Sequence, residues 1–341
     1  MLEAMASTDA TPRAAEYAAL TEHCGVVDRS QRGKLALTGA DAVEFLNGQV
    51  TNELLDLTPG HGRYAAFLTH KGKMLGDLRI LAVGDAASNG NAAQAAAPTA
   101  APTELLLDTE RVALQGLFDM IRRFKVGYRV DLHKRTLETS LLSLIGPAAA
   151  MTAERAFPCP VELPEHENDH VLVGPVRIVA TNVGVDLLCA ADATESVLES
   201  LKTAGATAVT EDAAEIVRVE SGRPRYGLDV DESTIPQEAG LNERAVSFTK
   251  GCYVGQETVA RLHYRGKPNR HLRGLRLSEP IASGAELHLG ERPVGALTST
   301  VLSPTFGPIG LALLRREAEP GAILAVGDRG ATATVVELPF Q

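Results

Sequence analysis

Tryptophan is absent from this 341-residue chain, and aromatic residues make up only 4% of it. Its cores must rely on Leu, Val, Ile and Ala, which is feasible because 45% of residues are apolar and 22% charged, near the globular average. Cysteine is also scarce: Cys24, Cys159, Cys189 and Cys252 are scattered, with no C-x-x-C pair. That spacing is poor for a zinc or iron–sulfur site built within one segment, and so few cysteines do not make a disulfide framework. A reducing cytoplasm is the expected setting. No apolar run approaches the length needed to cross a bilayer, and "MLEAMASTDATPRAAEYAAL" lacks the basic head and apolar core of a secretory signal. Positive charge is in deficit, and the net charge of −10 argues against broad binding to nucleic acid or an anionic membrane. No G-x-G-x-x-G, Walker A, H-E-x-x-H or G-x-S-x-G occurs, which removes the usual dinucleotide, nucleotide-hydrolysis and metallopeptidase readings. The nine histidines include no metal-like pair at helical spacing, and no metal site is expected.

What is present reads as two or three domains rather than one. "GKLALTG" (33–39) alternates like a short strand. "DAVEFLNGQV" reads as an amphipathic helix with Asp41 as N-cap and Val43, Leu46 and Val50 at helical spacing. "RYAAFLTHKGKMLGDLRILAVG" is two strand-like runs joined by a hairpin at His70-Lys71-Gly72-Lys73. Residues 86–103 are low-complexity and almost uncharged. They read as a flexible loop between two strands that should pair, so the insertion costs little closure entropy. "RVALQGLFDMIRRF" (111–124) is helical, with Val112, Leu117, Met120, Ile121 and Phe124 as its apolar face, and "VGYRVDL" follows as a strand. "HVLVGPVRIVAT" and "GVDLLCA" resemble a meander; "TESVLESLKTAG" and "EDAAEIVRVESG" are helices stopped by glycine. From about Arg270 the texture changes to short strands with Gly and Pro turns, a separate small β domain. Strands and helices mix without a regular βαβ rhythm, so the fold class is α+β.

Four features could carry chemistry. On "EDAAEIVRVESG", Ala213, Ile216 or Val217, and Glu220 share one helix face, which aligns a carboxylate with an apolar stripe. Such a carboxylate needs a donor. The donor is either Arg223 or Arg225, or the amidine-like edge of a ligand such as a pterin, whose two parallel N–H groups suit one carboxylate. Asp77 follows a hairpin carrying Lys71 and Lys73, and is either part of a solvated rim or a proton acceptor. "RLHYRGKPNRHLR" (261–273) gathers Arg261, Arg265, Lys267 and Arg270 in an acidic chain. It is either a solvated face or an anion site for a polyglutamate tail or a phosphate, and Tyr264 alone is thin support for RNA. Cys252 follows Lys250-Gly251 and precedes a helix start at Gly255-Gln256-Glu257. A nearby ammonium and a helix N-terminus favour thiolate, while free cysteine often packs in a core; spacing alone does not choose.

"RVESGRPRYGLDVDESTIPQEAGL" followed by "AVSFTKGCYVGQETVARL" resembles the YgfZ family of folate-binding proteins, relatives of the glycine-cleavage T-protein (aminomethyltransferase) that assist iron–sulfur enzymes. The motif K-G-C-[YF]-x-G-Q-E is complete in Lys250, Gly251, Cys252, Tyr253, Gly255, Gln256 and Glu257. "FLNGQVTNELLDLTPG" and "HKGKMLGDLRI" look like N-terminal hallmarks of the same superfamily, and the resemblance spans roughly 25 to 340. It implies three domains around a central hole that binds tetrahydrofolate or a derivative. These are a discontinuous folate-binding domain (1–50 plus 140–265), an inserted α+β domain (51–139, with the loop at 86–103) and a C-terminal β-barrel (266–341). It also implies that Glu220 holds the pterin, as the glutamate of the T-protein R-[IV]-E-x-G motif does, with Lys250 in the folate site and Cys252 as a functional thiol at its rim. T-protein carries its catalytic aspartate in an Asp-Asp pair at the strand matching "GDLRI", where Gly76-Asp77 offers one, and it lacks the cysteine motif. Both departures favour a folate-dependent accessory factor for synthesis or repair of iron–sulfur proteins, including tRNA-thiolating enzymes. Its expected partners are iron–sulfur client proteins or assembly factors, with no membrane and no direct nucleic-acid contact. The rival expectation is an enzyme that transfers a one-carbon unit to tetrahydrofolate.

Overall fold

The computed structural model describes residues 10–84, 101–157, 163–327 and 330–341. The alanine-rich stretch up to residue 100 and Cys159 lie outside the described residues. The first half of the chain forms α1 (Ala10–Glu22), β1 (Gly25–Asp28), β2 (Gly33–Thr38), α2 (Ala42–Asn47), β3 (Gly62–Leu68), β4 (Met74–Val83), β5 (Glu104–Thr109), α3 (Leu114–Phe124), β6 (Asp131–Lys134) and β7 (Thr139–Ile145). Then come α4 (Ala149–Ala156), β8 (His170–Val173), β9 (Val176–Thr181), β10 (Gly184–Ala190), α5 (Thr194–Thr203), β11 (Thr207–Ala208), α6 (Glu211–Glu220), α7 (Asn242–Ala245) and α8 (Gln256–Arg265). The C-terminal strands are β12 (Arg270–Leu277), β13 (Glu286–Leu289), β14 (Arg292–Ser303), β15 (Gly307–Arg315), β16 (Ile323–Val326) and β17 (Ala331–Val336).

These strands make two open sheets and a barrel. The first sheet runs β11-β1-β7-β10-β9-β8, the second β3-β4-β5-β2-β6, and β12-β15-β14-β13-β16-β17 close on themselves. The expected α+β class and C-terminal barrel are therefore what the chain forms. Closure removes the exposed edges of six short strands, and Leu275, Leu287, Leu297, Leu314, Leu324 and Val335 fill the barrel core. The strands flanking the alanine-rich stretch pair with each other, Val83 opposite Glu104.

β2 is buried along nearly all its length and pairs on both sides, with β5 and β6. The 33–50 segment, read above as part of the first domain, thus supplies a central strand of the second sheet. Tyr226, Val230, Leu241, Tyr253 and Val259 join Phe45, Leu46 and Phe67 in that sheet's core, so a late stretch of chain returns to it. Asp41 stands at the start of α2 but caps nothing; its carboxylate takes the backbone N–H and guanidinium of Arg129 instead. α3 buries Leu117, Met120 and Ile121, while Val112 and Phe124 are exposed. The two open sheets meet through an apolar contact of Leu81 and Leu106 with Leu141, Val179 and Leu188. Polar side chains of both sheets converge beside that contact.

Candidate functional site

A cavity of about 220 Å3 is lined by residues of both sheets, of α6 and of the segment that follows it. Pockets that enclose a drug-sized ligand run to about 300–1,000 Å3, so this one takes a ring-sized group and leaves the rest of a larger ligand outside. Seven arginines (Arg29, Arg32, Arg79, Arg218, Arg223, Arg225 and Arg244) and five carboxylic residues (Asp77, Asp108, Glu110, Glu167 and Asp186) line it.

Asp77 and Arg79 sit two residues apart on β4 and both reach the cavity, as the two-residue strand period allows. Asp77 is only 6% exposed. Tyr64 Oη, from the neighbouring β3, donates to its Oδ2 across 2.6 Å, and Thr109 Oγ1 donates to its backbone carbonyl. Burial raises the Asp77 carboxyl above the ordinary carboxylate range, and the Tyr64 hydrogen bond offsets part of that rise. Burial, reinforced by the Asp77 charge, likewise lifts the Tyr64 phenol well above its usual value. The preceding Gly76 has no room for a side chain: a Cβ there would stand 2.6 Å from the Phe67 ring and 2.7 Å from Ala113 Cβ. The fold therefore presents one aspartate at this position and packs its neighbour against apolar groups.

The arginines are held apart by the carboxylates between them. Arg32 Nε donates to Asp108 across 2.9 Å and the same guanidinium pairs with Glu110; Arg79 bridges Asp108 (3.1 Å) and Asp186 (2.7 Å). Burial alone would raise the Asp108 carboxyl, but Arg32 and Arg79 outweigh it and hold the group below its usual range. Arg225 pairs with Glu211 and Glu215, and Arg29 shares Glu211. Arg218 ties Glu215 to Asp229 and to Ser299 of the barrel. Arg79 Nε and Arg244 Nε are buried with no hydrogen-bond partner among the described residues. Each such donor costs about 1–3 kcal/mol while unsatisfied.

Of the residues singled out in the sequence, Asp77, Val217, Arg223 and Arg225 line this cavity. Glu220 is not among its lining residues. Its Oε1 accepts from Tyr17 Oη of α1 (3.0 Å) and Ser303 Oγ of the barrel (2.5 Å), so it joins three elements outside the cavity. Neither Arg223 nor Arg225 pairs with it, because Glu167, Glu211 and Glu215 engage them first. Lys250, expected in the folate site, is 7% exposed, and its ammonium donates to the carbonyls of Asn47, Val50 and Asn52 at 2.6–2.9 Å. Three N–H donors meet three acceptors, leaving none for a ligand. Burial pushes this group down to about 8.

Cys252 is exposed, on a loop that Lys250 and the buried Tyr253 anchor, and it does not line the cavity. Gly251 and Glu257 are exposed beside it, and Gln256 opens α8. Gly255 has φ +87°, and a Cβ there would stand 2.6 Å from the carbonyl of Thr69, so this turn requires glycine. Cys24 and Cys189 are buried, and burial raises both thiols. In the proposed anion patch Arg261, Arg265 and Lys267 are exposed, but Arg270 is taken by Glu238 (3.1 and 2.9 Å) and the carbonyl of Ser233. No group of three or more His, Cys, Asp or Glu among the described residues is placed to hold a metal. No described helix is long and apolar enough to cross a membrane. Tyr64, Arg32, Arg79, Arg244 and Glu167 belong to no motif and meet only in the tertiary fold, Tyr64 and Arg79 on paired strands, Arg32 just before β2, Arg244 on α7 and Glu167 on the loop before β8.

Two open sheets, a closed barrel and a charged cavity whose lining includes the buried carboxyls of Asp77 and Asp108 define a multidomain protein with a polar cavity where its two open sheets meet. The model of the GCVT N-terminal domain matches residues 7–250, and that of the glycine cleavage T-protein C-terminal barrel domain matches 270–341. The chain belongs to the glycine-cleavage T-protein (GCVT) family. An aminomethyltransferase of Synechococcus sp. (strain RCC307) is 30% identical, covering 96% of this chain and 89% of that protein. One from Corynebacterium jeikeium is 26% identical over 95% of this chain and 89% of its own length. The crystal structure of aminomethyltransferase T from Bartonella henselae superposes with a TM-score of 0.83 over 96% of this chain and 89% of its own, at 22% identity, a likeness of fold.

Proposed function

We propose that the chain binds a reduced folate in this cavity and acts as a folate-dependent one-carbon transferase of the aminomethyltransferase kind. The observation that carries this reading is Asp77, a buried carboxyl held by Tyr64 inside an arginine-lined cavity. The kinship with named aminomethyltransferases along nearly the whole chain supports it. A reduced folate supplies ring and bridge nitrogens that take up a one-carbon unit. Asp77 is suited to pass a proton to or from such a nitrogen, since burial lets it keep its proton to higher pH than an exposed aspartate. Tyr64 fixes Oδ2 and leaves Oδ1 as the oxygen with no partner among the described residues.

The test supplies lipoylated aminomethyl carrier protein with tetrahydrofolate and follows methylenetetrahydrofolate and ammonia. Asp77→Asn should retain folate binding and lose about 10²–10⁴-fold in turnover. A wild-type chain that binds tetrahydrofolate without turnover overturns the transferase reading. A second reading, the folate-binding accessory factor for iron–sulfur proteins, is favoured by one observation: Cys252 lies exposed in the complete K-G-C-Y-V-G-Q-E stretch, away from the cavity. A folded Cys252→Ser variant that fully supports iron–sulfur enzymes, tRNA-thiolating ones included, would remove the thiol role.

A further inference from the structure

Glu167 stands at the cavity between two arginines. Its Oε1 accepts from Arg223 NH1 across 2.9 Å and from Arg244 NH2 across 2.7 Å. All three side chains are partly open to solvent, with exposures of 31%, 28% and 31% respectively. Both arginines therefore spend a donor on the same carboxylate oxygen, while Arg244 Nε stays buried without a partner among the described residues. Two guanidinium forks, each able to grip a carboxylate through two parallel bonds, are matched against half of one carboxylate. Arg244 also lies 4.7 Å from the ring centroid of Tyr64, the residue that donates to Asp77. The backbone around Glu167 is pinned, Asn168 N–H bonding Ala180 O (2.9 Å) and His170 N–H bonding Gly60 O (2.7 Å), so only the Glu167 side chain is free to swing.

We propose that Arg223 and Arg244 form a carboxylate subsite of the cavity, and that Glu167 occupies it until a ligand carboxylate takes its place. This rests on the cavity being the ligand site and names the chemistry it selects, an organic acid whose remaining atoms extend toward Asp77. The exchange is nearly balanced, because the arginines keep an anionic partner throughout and a partly exposed Glu167 turns readily into water. Glu167 acts as a built-in competitor: it sets the threshold that a ligand carboxylate must exceed. The acid is either the glutamate tail of a folate or a separate small carboxylate, and the two are separable by probe.

Titration calorimetry on the full chain compares four probes: tetrahydrofolate, 6-methyltetrahydropterin (ring without tail), p-aminobenzoylglutamate (tail without ring) and glutarate. Glu167→Gln should tighten the carboxylate probes about tenfold, the worth of a charge-assisted hydrogen bond, and leave 6-methyltetrahydropterin unchanged. Arg244→Gln and Arg223→Gln should weaken the same probes by a similar factor. Thermal unfolding confirms that each variant is folded, and Arg→Lys replaces any that is not, keeping the charge while losing the fork. A response of p-aminobenzoylglutamate assigns the subsite to a folate tail; a response of glutarate alone assigns it to a separate acid. If Glu167→Gln leaves every carboxylate probe within twofold of wild type, or weakens them, the subsite does not exist. Failure of 6-methyltetrahydropterin and tetrahydrofolate to bind would refute the folate reading, and the response of glutarate would still decide this one.

Discussion

Tyr64 donates its hydroxyl to Asp77 across 2.6 Å, joining two neighbouring strands at the one buried carboxyl that the sequence and the structure both place in the site. The bond favours the ionised carboxylate, so it works against the burial that raises this group. Tyr64→Phe should therefore move the Asp77 titration further upward. The check is the pH–rate profile of one-carbon transfer, whose Asp77-dependent limb shifts to higher pH; an unmoved limb would mean the hydroxyl does not tune the acid.

Gly76 leaves no space for the second aspartate of the T-protein pair. Gly76→Asp should destabilise the fold by about 1–3 kcal/mol through overpacking against Phe67 and Ala113, with no gain in turnover. Denaturant unfolding gives the first quantity and the carrier assay the second. A variant of wild-type stability would show that the strand yields there.

Lys250 ties together three carbonyls of the 47–52 stretch after α2 with one ammonium. Lys250→Met strips donors from three carbonyls, and should cost about 2–5 kcal/mol of unfolding free energy while changing folate affinity less than twofold in protein that remains folded. Loss of folate binding at unchanged stability would return this lysine to the ligand.

Glu220 links α1, α6 and the barrel through Tyr17 and Ser303. Glu220→Gln keeps one acceptor oxygen and loses the charge, so a destabilisation of about 1–2 kcal/mol is expected with folate affinity unchanged. Weakened folate binding in calorimetry would restore the glutamate to the pterin.

His170 gives the chain a pH dependence outside the cavity. Burial first, then the neighbouring Arg177, depresses its imidazole from 6.5 to about 3, and Arg177 NH1 donates to its Nδ1. A depressed value means that the stability it contributes is fully present above about pH 6.5 and is lost as pH falls toward the folded-state value of about 3. Arg79 and His61 act on it in the same direction as Arg177. His170→Gln, which keeps an acceptor for Arg177, should flatten the fall in urea-unfolding stability between pH 6.5 and 4. An identical slope in the variant would place the acid sensitivity elsewhere.

Much of the architecture was legible from local pattern. The hairpin at 70–73, the meander of β8 to β10, helices α5 and α6 and the onset of the barrel all follow from periods of 2 and 3.6 residues and from glycine placement. Asp77 was legible as a carboxylate after a basic turn. The arginine cluster was not, because Arg32, Arg79, Arg223 and Arg244 lie far apart in a chain whose spacing says nothing about which strands become neighbours. The protein partners of Lys250 and Glu220 were not legible for the same reason. Their motifs mark them as important without saying whether the partner is a ligand, a carbonyl or a barrel serine.

The sequence by itself determined the element types, the α+β class and the kinship with the T-protein family, since these depend on local periodicity and on motifs that survive in one dimension. Only the tertiary structure decided which charges share a cavity and which face away. β2 enters the second sheet between β5 and β6, α6 packs against the barrel, and Glu167 arrives from a loop of the other sheet. A buried charge is stable only beside its partner, and partners so distant in sequence are chosen by the folded chain as a whole.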